Sequence, residues 1–189
     1  MTIERGMFVE TPIKGLVVIN KPINTDNRGF LQEMFKSSES KLHGFECNPL
    51  HAALSGSNPN ALRGIHTENW AKLIMPLTGK MFGAYADVRP DSKTFGKVFT
   101  MEFDNRDLYA QRKILLIPPG VGNSICVIGN EPVLYMYLNE KEWTPEGARG
   151  VLYNDPDLNI GWPIDIPIIS ERDQNNPTLR QLYPEKFNG

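Results

Sequence analysis

Lys72-Leu73-Ile74-Met75-Pro76-Leu77, and after one turn Met81-Phe82-Gly83-Ala84-Tyr85-Ala86-Asp87-Val88, are the stretches that decide the fold. Each is a short run of apolar and aromatic side chains bounded by Gly, Pro, Asn or Asp, the form of a strand closed by turns. The same form recurs over residues 16–19, 97–103, 112–117, 124–128 and 132–138. Gly79, Pro90-Asp91-Ser92, Asp104-Asn105-Arg106 and Ile128-Gly129-Asn130 read as connections. Fifteen prolines and sixteen glycines interrupt any 3.6-residue period, so that only residues 37–42 read as a short helix. Many short strands at this spacing predict an all-β protein, an antiparallel sandwich or jelly roll. The Pro- and Asn-rich segment after Asp155 reads as an extended arm packed on that body.

The 189 residues suit one domain with a real core, spanning residues 1–189. Apolar residues make up 40% of the chain and charged residues 22%, the composition of a soluble globular protein. A net charge of -2 with interspersed signs gives no footprint for nucleic acid or an anionic membrane. A few local arginines can still bind a phosphate group. Cys47 and Cys126 are too few for a disulfide framework or a zinc site and read as free thiols in a reducing compartment. No basic stretch followed by a long apolar run opens the chain, so neither a signal peptide nor a membrane span is expected, and the cytoplasm is the default location.

Two stretches far apart in the chain carry the candidate chemistry: Leu62-Arg63-Gly64-Ile65-His66 and Ile168-Ile169-Ser170-Glu171-Arg172-Asp173. A carboxylate brought behind the His66 imidazole would orient it as a base near neutral pH. His43 and His51 lie in loop-like sequence and read as exposed or capping residues. Three histidines without an HxH pair make a transition metal an unlikely resident, and none is expected. In Val133-Leu134-Tyr135-Met136-Tyr137 the two tyrosines share one face of a strand. Core packing is the favoured reading of Tyr135. Lys72, taken alone, reads as a solvated lysine at the edge of a sheet.

Seven short motifs resemble the dTDP-4-dehydrorhamnose 3,5-epimerase family, in the family's order. They are Arg28-Gly29-Phe30-Leu31-Gln32-Glu33, Leu62-Arg63-Gly64-Ile65-His66, Asp87-Val88-Arg89-Pro90-Asp91-Ser92-Lys93-Thr94-Phe95-Gly96, Ile117-Pro118-Pro119-Gly120, Asn154-Asp155-Pro156, Ile160-Gly161-Trp162-Pro163 and Ser170-Glu171-Arg172-Asp173. The resemblance implies a cupin-type jelly roll (a double-stranded β-helix), a homodimer, and epimerisation of a nucleotide-diphosphate-linked 4-keto sugar without a cofactor. It puts His66 at the catalytic base, Asp173 at the carboxylate orienting it, Tyr137 at the proton donor and Lys72 beside the developing enolate. It puts Trp143 at an aromatic residue packing on the substrate, and Arg28, Glu33 and Arg63 at nucleotide or phosphate contacts. Ser55, Ser57 and Asn123 fall on further substrate-binding positions.

The residue types suit that chemistry. The ketone acidifies its neighbouring C–H because the charge can move to oxygen. Inversion then removes a proton from one face and delivers one to the other, work suited to an imidazole and a phenol. An ammonium group can stabilise the enolate oxygen, and arginine forks can hold a diphosphate. This chain departs from the family at Gly83, where an Asp is common, and at Asn123, where a His is common. His51 and Ala53 replace a Gln and an Asn, and the stretch between His66 and Lys72 is short. Asn cannot carry charge or act as a base, so an acid–base role at position 123 is lost. Inversion at one carbon, a nucleotide-sugar ketoisomerase and a non-catalytic carbohydrate-binding barrel stand as alternatives.

Overall fold

Residues 7–41 and 49–187 are described by the structure, a computed structural model. His43 and Cys47 lie outside the described residues, as does Leu42 at the end of the expected helix. The elements run in the order β1 (Phe8–Glu10), β2 (Val17–Asn20), β3 (Ile23–Asp26), β4 (Gly29–Gln32), α1 (Ser37–Ser40), β5 (His51–Ser57), β6 (Leu62–Glu68) and β7 (Lys72–Pro76). They continue with β8 (Gly79–Asp87), β9 (Val98–Asn105), β10 (Lys113–Ile117), β11 (Val121–Val127), β12 (Val133–Asn139), β13 (Ala148–Gly150), α2 (Glu171–Gln174) and α3 (Leu179–Leu182). A six-stranded sheet has the order β1-β2-β10-β7-β12-β5 and a five-stranded sheet the order β13-β6-β11-β8-β9, while β3 and β4 pair as a separate hairpin. All strand pairings within these sheets are antiparallel.

Alternation along the strands explains both the uninterrupted apolar runs and the position of the core. On β7 and β10, Ile74, Leu115 and Ile117 point into a cluster shared with Met81, Tyr85, Val121, Ile125 and Phe103 of the second sheet. The intervening Leu73, Met75, Ile114 and Leu116 face outward, where Phe8, Met34 and Phe35 cover them. A strand buried on both faces has no polar side to show. A third cluster joins Ile65, Ala86 and Val88 to Val151, Leu158 and Leu179, so the C-terminal arm covers the outer face of the five-stranded sheet as expected. Each fully buried aliphatic side chain contributes roughly 1.5–3 kcal/mol to this packing. Cys126 is a buried free thiol, and burial pushes its pKa up to about 11, which leaves it unreactive.

The strands expected from the sequence are present, with small shifts at their ends. Gly79 opens β8 rather than connecting to it, and Asp104 and Asn105 belong to β9. Six strands escaped the pattern: the short β1, β3, β4 and β13, and the longer β5 and β6. β5 alternates half-buried and exposed positions at the sheet margin, and β6 is interrupted by Gly64. His51 is no loop residue: it opens β5, half-buried, with Nδ1 3.5 Å from Asn139 Nδ2.

Candidate active site

Gly64 shapes the strand that carries His66. Its φ of 134° is one that other residues rarely adopt, and a β-carbon there would lie 2.4 Å from Ser124 Cβ. The close approach seats β6 against β11, where His66 pairs with Asn123, and Asn123 in turn pairs with Tyr85 of β8. Directly opposed residues of a sheet share a face. Since Tyr85 belongs to the core between the sheets, His66 and Asn123 line that interior as well.

The C-terminal arm brings the carboxylate. Ile168 exchanges backbone hydrogen bonds with Asn60 and Leu62 at the start of β6, and α2 begins two residues later at its cap, Ser170. Ser170 Oγ accepts the Asp173 N–H at 3.2 Å. Asp173, buried, meets His66 Nε2 through Oδ1 at 2.8 Å and accepts the Gly64 N–H through Oδ2 at 3.1 Å. Burial works to raise this carboxyl, but the His66 contact, the Gly64 amide and the Arg172 charge outweigh it and hold its pKa below the ordinary value. An ionised Asp173 accepts hydrogens only, so Nε2 carries the imidazole hydrogen and Nδ1 keeps the basic lone pair. A cleft of about 470 Å³ opens here, lined by Arg63, His66, Ile168, Arg172 and Asp173 among others.

The opposite sheet supplies the other groups. Tyr135, Tyr137, Ile74 and Lys72 share the inward parity of β12 and β7. Tyr137 donates its hydroxyl hydrogen to Tyr135 at 2.6 Å. Burial, then the Tyr135 neighbour, push the Tyr137 phenol well above its ordinary pKa, while the charge of Arg63 works against them. Lys72 is 2% exposed, which overturns the solvated-edge reading. Its ammonium lies 5.8 Å from the centre of the Tyr137 ring and forms an ion pair with Glu68. Burial lowers the Lys72 pKa, and Glu68 partly opposes that shift. Glu68 thus gives Lys72 a carboxylate partner although Gly83 provides none. Its signal in the sequence was only a carboxylate four residues before a lysine, across a turn.

Ser57 Oγ accepts Arg63 Nε at 2.8 Å, and the Gly56 carbonyl accepts Arg63 Nη2 at 3.1 Å. Ser55 stands opposite Tyr135 in the ladder. Asn123 is buried with Oδ1 unpartnered among the described residues. Arg28, Glu33 and Trp143 do not join this cluster. Arg28 occupies the turn between β3 and β4 with its side chain 85% exposed, forked onto Asp26. Glu33 pairs with Lys36 on the surface, and Trp143 is half exposed beyond β12. Glu68 is a site neighbour that no motif in the sequence singled out, while Arg172, inside a motif, and Tyr135, read as core packing, were given no part in the site. Among the described residues no three His, Cys, Asp or Glu side chains gather into a metal-binding group.

Two facing antiparallel sheets, with an imidazole–carboxylate pair at one inner wall and phenols with a lysine on the other, define a jelly-roll protein of the cupin type. The chain belongs to the dTDP-4-dehydrorhamnose 3,5-epimerase family, whose model matches residues 10–181. It is similar to the dTDP-4-dehydrorhamnose 3,5-epimerase of Methanothermobacter thermautotrophicus, 28% identical over 92% of this chain and 95% of the relative. It is also similar to a dTDP-4-dehydro-6-deoxyglucose 3-epimerase of a Streptomyces species, 34% identical over 83% of this chain and 81% of that one. The crystal structure of the 3,5-epimerase from Legionella pneumophila, in complex with dTDP-4-keto-L-rhamnose, superposes with a TM-score of 0.85. It shares 26% identity over 94% of this chain and 95% of that one.

Proposed function

We infer that this protein is an isomerase that epimerises a nucleotide-linked 4-keto deoxysugar at C3, C5 or both through an enolate. The observation that carries the reading is the placement of the Asp173-backed imidazole and the Tyr137 phenol on the inner faces of opposite sheets. His66 Nδ1 removes the proton beside the ketone, and the ketone takes up the electron pair as an enolate. No cofactor is needed, because the carbonyl is itself the electron sink. The Lys72 ammonium stabilises the enolate oxygen. Tyr137 returns a proton from the opposite face, which inverts the carbon. Arg63, braced by Ser57 and Gly56, is placed to hold the diphosphate. That remote grip positions the sugar for proton transfer.

The reading extends to a cytoplasmic homodimer. The β3–β4 hairpin is anchored at its base, where Gln32 Nε2 donates to the carbonyls of Lys21 and Arg112. Its outer part exposes Arg28 and Leu31. Such an arm suits contact with a second copy, where Arg28 and Glu33 would reach a nucleotide they cannot share within their own chain. No helix among the described residues is long and apolar enough to cross a membrane.

Incubation with dTDP-4-dehydro-6-deoxyglucose in heavy water, followed by NMR, tests the function. Deuterium at C3 and C5 marks double epimerisation, and deuterium at one carbon a single inversion. A carbonyl moved to C3 identifies a ketoisomerase instead, and binding without exchange a non-catalytic barrel.

A further inference from the structure

Tyr135 carries a hydroxyl that packing alone does not require. The side chain is fully buried, and its ring meets that of Tyr137 edge to face, with centroids 4.9 Å apart at 73°. A phenylalanine would fill the same space without the cost of taking a hydroxyl out of water. The Tyr135 oxygen accepts the Tyr137 hydrogen at 2.6 Å. Among the described residues its own hydrogen is committed to no acceptor, so it remains free to turn.

This arrangement poses a problem for Tyr137 as an acid, and suggests its solution. A phenol whose hydrogen points at Tyr135 is not pointing at a substrate. The same bond favours the protonated form and makes the phenol a weaker acid. If the two hydroxyls exchange roles, both difficulties vanish: Tyr135 donates, the Tyr137 hydrogen is freed, and the bond now favours the phenolate.

On the epimerase reading above, we propose that Tyr135 is the positioning residue of the acid. Its hydroxyl holds that of Tyr137 between turnovers and turns to donate to it as the phenol gives its proton to the sugar carbon. In that step the O–H bond of Tyr137 breaks, its electron pair stays on Oη, and a C–H bond forms from the enolate's electron pair. The phenolate is held by the Tyr135 hydrogen, with the charges of Lys72 and Arg63 nearby. It regains a proton from solvent, His66 releases one, and Tyr135 turns back.

The test follows dTDP-4-dehydro-6-deoxyglucose in heavy water with wild type, Tyr135→Phe and Tyr137→Phe. Two rates are read: deuterium entry into recovered substrate, which reports proton removal by His66, and formation of epimerised product. Tyr135→Phe should slow product formation about tenfold, the worth of one hydrogen bond made in the transition state, and leave deuterium entry within about twofold. Equal product rates in wild type and Tyr135→Phe overturn the proposal, as does an equal loss of both rates, which is what a packing role alone gives. Wild type that exchanges no deuterium overturns the epimerase reading and the proposal with it. A second measurement needs no turnover: in protein labelled with 13C at tyrosine Cζ, Tyr135→Phe should make Tyr137 ionise at higher pH, because the phenolate loses its donor. A titration that stays in place or moves to lower pH overturns the donating role of Tyr135.

Discussion

The hydroxyl of Tyr85 lies 2.7 Å from where a β-carbon at Gly83 would stand, so the two positions share one volume of the core. Tyr85 is fully buried, stacked on Phe99, and its hydroxyl has no hydrogen-bond partner among the described residues. Position 83 has no room for a side chain: a β-carbon there would also stand 3.1 Å from the Phe103 ring. Gly83→Ala should therefore cost about 1–3 kcal/mol through overpacking. Tyr85→Phe removes the nearest clashing atom and an unsatisfied hydroxyl, so it should be neutral or stabilising alone and recover part of the Gly83→Ala loss. Denaturant unfolding of the two single variants and the double variant checks this; strictly additive losses would contradict it.

The ion pair of Lys72 with Glu68 fixes a pH dependence. Burial lowers the Lys72 pKa, so its charge disappears at lower pH than that of a free lysine, ordinarily near 10.4. Turnover should fall on an alkaline limb below that value. Glu68→Gln removes the opposing carboxylate and should move the limb to lower pH still. The pH profiles of kcat for wild type and Glu68→Gln measure both shifts.

Asp173 links the site to stability. Its folded pKa lies below the unfolded one, so ionisation of this group stabilises the fold above the ordinary carboxylate range. That contribution disappears as pH falls through the depressed folded value. Asp173→Asn should flatten this acid-side loss in urea unfolding experiments. The same change removes the carboxylate that fixes the imidazole tautomer and should lower kcat by about 10²-fold or more.

Arg63 is braced on two sides, by the Ser57 hydroxyl and the Gly56 carbonyl. A lysine cannot reproduce this fork. Arg63→Lys should raise KM about tenfold and lower kcat by a smaller factor, because the grip both holds the diphosphate and positions the sugar. Steady-state kinetics at saturating and limiting substrate separate the two.

How much of this was legible in the sequence follows from burial and range. β7 and β10 are covered on both faces and stood out as apolar runs. β5, with Ser and Gly among its residues at the sheet margin, gave no such run, and β6 is broken by the glycine that lets it approach β11. Asp173 was reached only through the family motif, since a four-residue helix is too short to show a period. Glu68, Tyr135 and Tyr85 act through neighbours across a turn or a ladder, pairings set by register rather than by any local pattern. Arg28 and Glu33, expected at the nucleotide, stand on or beside a separate hairpin, outside the His66 cleft.

The division of labour between two walls is tested most directly by comparing His66→Ala with Tyr137→Phe in heavy water. Loss of the base should abolish deuterium entry and product together while nucleotide binding persists. Loss of the phenol should leave deuterium entering the recovered substrate while product falls by about 10²-fold or more. Exchange unchanged in His66→Ala, or product formed at the wild-type rate by Tyr137→Phe, would contradict the account.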